Sequence, residues 1–525
     1  MSFRSPLYLL LITTLYTALF SSTKTLVHAE QPELLHEANN SAPRPANFTL
    51  PVTNGTLEPD MPFGMSSGHT TSNASSDPSL AHPYRSPQVP LEVENYPVAP
   101  EPLQLEQVHV FVRHGERTPV GVRLAGPPAN IPEHWNMCNS ARRFRSAVSA
   151  VTRDGEVSDK QRYEDIVRGR KVVERKDGRA FEGECLLGEL TDLGRYTTHH
   201  FGKNLRRLYV ERLGFLPDQL DNPDTVYFRT TNMPRTTESL QEIVRGLYPA
   251  PKCRDPSSIP PIRIRNGKDE NLVGNTYSCK RLEFLLVNFA KSAADAYNPT
   301  LAHLDKKLSK YIDGNPVRLD GRPRASGILD TVRSSIAHGI KVPSDFEDKS
   351  VIDTIERAVV TEWFSDKTEE VRRLGMGRLF DDMLSKMQRK VEQSEKDPLR
   401  ILVHSTHDTA IAAIHQTLDV FDDKWPAFTA SVTFELYKAP ATSTTLAGHS
   451  QTILSKLGGK SHSTSSQRHY IRMRSQNKSV RLPLCADEGS HLPGHPEFCT
   501  LEAFKEGMKY LIPEDWDREC AVGST

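Results

Sequence analysis

Three short segments concentrate side chains that could handle a phosphate group: Arg113-His114-Gly115-Glu116-Arg117-Thr118-Pro119, Arg229-Thr230-Thr231 and Thr406-His407-Asp408-Thr409. Arg113, Arg117 and Arg229 would supply planar donor forks suited to phosphate oxygens. His114 and His407 are candidate nucleophile, donor or base, and Asp408 a candidate acid. A phosphate monoester reacts slowly because its phosphoryl group is anionic and an alkoxide leaves poorly, so charge stabilisation and protonation must both be supplied. Three guanidinium groups can hold the equatorial oxygens without a metal. They also discourage protonation of His114, which keeps its free nitrogen nucleophilic at lower pH than an isolated imidazole. Neutral His114 and protonated Asp408 are needed together, a pairing that favours acidic conditions.

These residues need elements to position them. Gln107 to Val112, Asp224 to Phe228 and Arg400 to Ser405 are β-rich, apolar-leaning runs that read as buried strands, and each ends at one of the three segments. Helical stretches follow at Pro234 to Tyr248 and Ala410 to Leu418. In open α/β sheets ligands bind beyond the carboxyl ends of strands, which is where the charged segments fall. A zinc reading of His404 and His407 fails, because that spacing on a strand points the side chains to opposite faces and no HExxH motif accompanies them. Glu116 is explained by a solvated loop and Arg235 by an ion pair at a helix start; His199 and His200 are ordinary surface or core residues.

The segment from Arg113 to Pro119 together with His407-Asp408 resembles the signature of the histidine acid phosphatases, the branch of the histidine phosphatase superfamily that includes phytases. Arg229-Thr230-Thr231 followed by Arg235-Thr236 is similar to that family's middle motif, and Gly188-Glu189-Leu190-Thr191-Asp192-Leu193-Gly194 to the opening of its next core helix. The resemblance implies an α/β fold with a mainly parallel central sheet flanked by helices, a phosphoglycerate-mutase-like core. It implies His114 as the nucleophile forming a phosphohistidine, Arg113, Arg117 and Arg229 as the phosphate clamp, and His407 as donor to the phosphoryl group. Asp408 is implied as proton donor to the leaving alkoxide, with no cofactor. The expected activity is an acid phosphatase acting on a phosphomonoester substrate. The alternatives are a phytase of the same family and a catalytically inactive, secreted phosphate-binding module, against which intact His114 and Asp408 argue. Thr409 leans toward the general acid phosphatases.

The rest of the chain bounds where such an enzyme works. Its 525 residues carry 66 Lys+Arg against 66 Asp+Glu, a balance that argues against electrostatic attraction to nucleic acid or an anionic membrane. Leu7 to Phe20 is a concentrated apolar run, short for a membrane span, so residues 1–29 read as a secretory signal peptide, with an uncleaved anchor in a secretory lumen as the alternative. Residues 30–103 read as a disordered Pro/Ser/Thr-rich linker with sequons at Asn39, Asn47, Asn54 and Asn73; a fifth lies at Asn477. Residues 104–525 form the catalytic domain, with a helical cap expected from about 131–182 and 277–397, including helices over Arg281 to Ala296 and Asp353 to Arg372. Seven cysteines without a CxxC pair suggest three disulfides and one free thiol in a secreted, extracellular or vacuolar protein. Two of Cys485, Cys499 and Cys520 lie close enough to pair.

Overall fold

A computed structural model describes residues 89–140, 142–145, 168–253, 259–440 and 468–521. The N-terminal apolar run and the sequons at Asn39, Asn47, Asn54 and Asn73 lie outside the described residues. Among the described residues nine strands share one sheet, centred on β1 (Gln104–Arg113), which is buried from Glu106 onward. On one side of β1 the pairing is parallel. β4 (Ile401–Thr406) lies next to β1, β2 (Val226–Thr230) next to β4, and β3 (Ile262–Ile264) at the edge. These Val- and Ile-rich strands are covered on both faces, as parallel strands require, and they confirm the α/β class. On the other side β5 (Ser431–Lys438) and β6 (His469–Ser475) extend the sheet antiparallel, followed by β9 (His495–Thr500) and β8 (His491–Leu492); β7 (Lys478–Val480) pairs with β6.

Alternation along the strands divides the core into two layers. Val108, Val110, Val112, Phe228 and Val403 face α1 (Asp192–Arg206) and α2 (Pro234–Leu247). Phe111, Phe434 and Met473 face the opposite layer, made by α6 (Glu369–Gln393), α7 (Asp408–Thr417) and α8 (Leu501–Met508). A separate apolar core joins α3 (Lys280–Leu301), α4 (Ala325–Ala337) and α5 (Lys349–Phe364), forming the cap above the sheet's carboxyl edge.

Four expectations about boundaries change. The described part of 131–182 is not helical: Arg143–Arg145 pairs with Arg168–Arg170, and Val173–Glu174 with Ala180–Phe181. Asp177-Gly178, with Gly178 at φ 78, turns that second ribbon, and only glycine takes this conformation without strain. The range 277–397 is helical, but α6 buries Phe380 and Met383 on the sheet and so belongs to the core layer. The helix expected over Asp353 to Arg372 is two helices, because Thr368 leaves the helical path and its hydroxyl accepts from Val371 N to cap α6. Finally, residues 89–103 belong to the folded domain, since Leu91, Val93 and Tyr96 are buried in the core. Asn477 clasps this segment, accepting from Glu92 N at 2.9 Å and donating to Pro90 O at 2.8 Å.

Disulfides join Cys138 to Cys185, Cys279 to Cys520, and Cys485 to Cys499, leaving Cys253 as the thiol. No helix among the described residues is long and apolar enough to cross a membrane.

Candidate active site

Strand register brings the first two motif residues together. Arg113 ends β1 directly opposite Thr406, which ends β4, so His114 and His407 emerge side by side. The His114 backbone N–H donates to Thr406 O at 2.9 Å, and the two rings lie 5.6 Å apart. His407 is the N-cap of α7 and Asp408 its first residue, where the helix dipole favours a negative charge. The loop after β1 lies flat on the first turn of α1, because a Cβ on Gly115 would collide with the Gly194 carbonyl and one on Gly194 with the Glu116 carbonyl. Thr191 locks this approach: it caps α1 by accepting from Gly194 N, and its own N–H donates to Glu116 O at 3.0 Å.

The His114 ring is oriented by its own loop. Nδ1 lies 2.8 Å from Gly115 O, a contact that places the proton of the neutral ring on Nδ1 and leaves Nε2 with a lone pair. Nε2 is buried and has no hydrogen-bond partner among the described residues, and the same holds for Nε of Arg113 and of Arg117. Burial first, then the Arg113 and Arg117 guanidinium groups, hold His114 well below the ordinary histidine range, so it is neutral in acid.

Carboxylates answer the arginines. Arg113 Nη2 lies 2.6 Å from Asp408 Oδ2, while Nη1 donates to Pro426 O and the guanidinium stacks over Phe428 at 4.2 Å. Arg117 Nη1 donates to Asp330 Oδ1 at 2.9 Å, reaching across to the cap helix α4. Asp408 also accepts from Trp425 Nε1 at 3.0 Å and from Thr409 N at 2.9 Å. Burial is the largest influence and opposes its ionisation, yet Arg113 together with Arg117 and the neighbouring histidines outweighs burial and holds Asp408 well below the usual carboxylate range. In the ligand-free pocket Asp408 is therefore ionised, which differs from the protonated acid expected of a proton donor. His407 Nε2 contacts the Thr231 hydroxyl at 2.9 Å, and burial and then Arg235 push His407 down to about 3. A cleft of about 460 Å³ opens here, between Arg113, Arg117 and Asp408 on one side and Asp330 and Arg333 of α4 on the other.

Arg229 is not in this cleft. It lies inside β2, one position from Phe228, and alternation turns it to the other layer, under α6. There it pairs with Glu270, with Nη1 3.5 Å from Asp382, beside His404. The guanidinium that sequence reasoning set aside, Arg235, lies within electrostatic reach of it instead. Near the start of α2 it interacts with Asp408 and Asp330, which support its charge against burial. Trp425 and Asp330 were also missed. Nothing local in the sequence marks either of them, since both meet the motifs only through the fold. His404, stacked on Phe111 at 4.7 Å, faces away from His407 as its spacing requires.

Fold and site together define an α/β protein in which a buried histidine lies beside two arginines at the carboxyl ends of parallel strands. The family model described as the histidine phosphatase superfamily (branch 2) matches residues 104–476, and the chain belongs to that family. A Schizosaccharomyces pombe protein named as a probable acid phosphatase is 34% identical over 444 residues, covering 80% of this chain and 95% of its own. Human lysophosphatidic acid phosphatase type 6 is 26% identical over 351 residues, 65% of this chain and 76% of its own. The Hafnia alvei phytase in complex with tartrate shares the fold at a TM-score of 0.50 and 14% identity, covering 81% of this chain and 100% of its own. The chain is accordingly a phosphoric monoester hydrolase.

Proposed function

We propose that the chain is an exported acid phosphatase that splits phosphomonoesters in two steps through His114. The phosphate group sits on Arg113, Arg117 and Arg235, with His407 donating to a phosphoryl oxygen. Arg229, expected in the clamp, is replaced by Arg235. The His114 Nε2 lone pair attacks phosphorus in line, the P–O ester bond breaks, and the leaving oxygen takes the proton of Asp408. A water then attacks phosphorus, the P–N bond returns its electron pair to Nε2, and the Asp408 carboxylate receives the water's proton. The ionised Asp408 of the ligand-free pocket fits this cycle, because an arriving phosphate dianion competes for Arg113 and repels the carboxylate, raising its proton affinity when a proton is needed. Export is supported by the N-terminal apolar run, the sequons and the three disulfides.

The buried Nε2 of His114, fixed in its tautomer and without a protein partner among the described residues, carries this reading. Brief reaction with a ³²P-labelled aryl phosphate, quenched in alkaline denaturant where phosphohistidine survives, should leave label on the wild-type chain and none on His114→Ala. The variant should lose about 10⁴-fold or more in kcat. Label persisting in the variant would overturn the nucleophile assignment.

A further inference from the structure

With a phosphate group seated beside His114, the organic part of the substrate must extend past the cap, and the walls there decide what it can be. They offer little spare positive charge. Arg113 is paired with Asp408, Arg117 with Asp330, and Arg333 with Glu356 at 2.5 Å. Asp330 is also fixed in place, since its second oxygen accepts from Val120 N at 2.9 Å. A further phosphate on the substrate would meet this carboxylate at close range, where like charges repel strongly.

A second, shallow cleft adjoins the first, its walls running on from Arg117 to Thr118 and from Asp330 to Thr331. Pro119, Val122, Ile131, Leu186 and Leu187 give it an apolar wall beside the polar Thr118 and Thr331, and its two charged residues, Arg123 and Glu133, are of opposite sign. Val122, Leu186 and Leu187 are 46%, 48% and 44% exposed, so three large apolar side chains converge on one opening. Isolated exposed leucines need no explanation, but a convergent set beside a polar site does. The cleft is also tied to the clamp: a Cβ on Gly188, the neighbour of Leu187, would lie 3.7 Å from Arg235 Nη1 and 3.5 Å from Val120 Cγ1.

We propose that this cleft is the leaving-group subsite, that it takes the ester of an uncharged apolar alcohol, and that Asp330 turns away polyphosphorylated substrates. The proposal rests on the phosphatase reading above. Its test is the release of phosphate by the full chain from n-alkyl phosphates, methyl to hexyl, and from inositol hexakisphosphate. We expect kcat/KM to rise about twofold per methylene, below the roughly fourfold of complete burial, and to be at least tenfold lower for the inositol ester than for hexyl phosphate. In Leu187→Asp the slope against chain length should flatten, a readout taken within one variant and so insensitive to general loss of activity. In Asp330→Asn the rate ratio of inositol ester to hexyl phosphate should increase at least fivefold. Release that is equal along the alkyl series would overturn the subsite while leaving the phosphatase reading intact. No release from any ester would overturn both.

Discussion

Arg229 and Arg235 arise from one stretch of chain and end in two different buried assemblies. Arg229 lies under α6, its guanidinium set against Glu270, whose Oε1 also accepts from Asn271 N and Leu272 N at 2.8 Å. Leu272 O in turn accepts from the Thr406 hydroxyl at 2.8 Å, so this assembly braces the loop behind β4. Arg235 interacts with Asp408 and Asp330, which line a cleft with Arg113 and Arg117, and buried nitrogens of His114, Arg113 and Arg117 stay without partners among the described residues. Both regions bury arginines and carboxylates. Both also leave buried nitrogens without hydrogen-bond partners, Arg229 Nε and Nη1 in the first and Arg113 Nε and Arg117 Nε in the second, but only the second borders a cleft where a substrate anion can complete them.

Removing each arginine separates the two roles most strongly. Arg235→Ala should lower kcat/KM by about 10²–10³-fold, the usual loss for one transition-state donor, with little change in Tm. Arg229→Ala should leave turnover per folded molecule within a few-fold and instead cost about 3–5 kcal/mol of stability, because Glu270 would be buried without its partner. Inorganic phosphate should raise Tm in the wild type and in Arg229→Ala but far less in Arg235→Ala. Steady-state rates and thermal melts on the purified variants check this. An inactive but stable Arg229→Ala would reverse the assignment.

The confusion of these two arginines shows where sequence patterns stop being informative. The Val/Ile-rich runs made β1 and β4 legible, and their abrupt charged ends marked the site, because burial on both faces demands such composition. The third strand was read as ending at Phe228, whereas β2 continues to Thr230. Inside the strand Arg229 is bound by alternation to the face opposite Phe228, whereas a residue just past the strand end would be free to turn into the site. Trp425 and Asp330 were illegible for another reason: each touches a motif residue far away in sequence, through a loop and a cap helix whose placement only packing decides. The disulfide from Cys279 to Cys520, spanning 241 residues, was hidden in the same way.

Acidity acts on both regions in the same direction. Burial depresses His114, His407 and His338 on the site side, and His404 and His109 on the other, with His407 and His109 at about 3 and His338 at about 4. A histidine depressed in the native state is protonated only in the unfolded chain below about pH 6.5, so its contribution is full above that pH and is lost as pH falls toward the native value. Asp408, also depressed, adds a loss beginning near pH 4. Tm should therefore fall between pH 7 and pH 4. His404→Phe, which keeps a ring against Phe111, should make that fall shallower without altering the pH profile of kcat. A Tm that holds constant or rises over this range would contradict the burial of neutral histidines.

The finest distinction concerns the proton on Asp408. Trp425 donates to its carboxylate at 3.0 Å while its ring packs against Phe364, with centroids 5.1 Å apart. Trp425→Phe preserves most of that packing and removes one hydrogen bond that favours the ionised form, so the acid should hold its proton to higher pH. The alkaline limb of the kcat profile should shift upward by less than about one pH unit, with the maximal rate changed by no more than about threefold. Arg229→Ala, acting from the other assembly, should leave that limb in place. A downward shift in Trp425→Phe, or an equal shift in both variants, would mean that the limb does not report Asp408, because the hydrogen bond from Trp425 reaches that carboxylate and Arg229 does not.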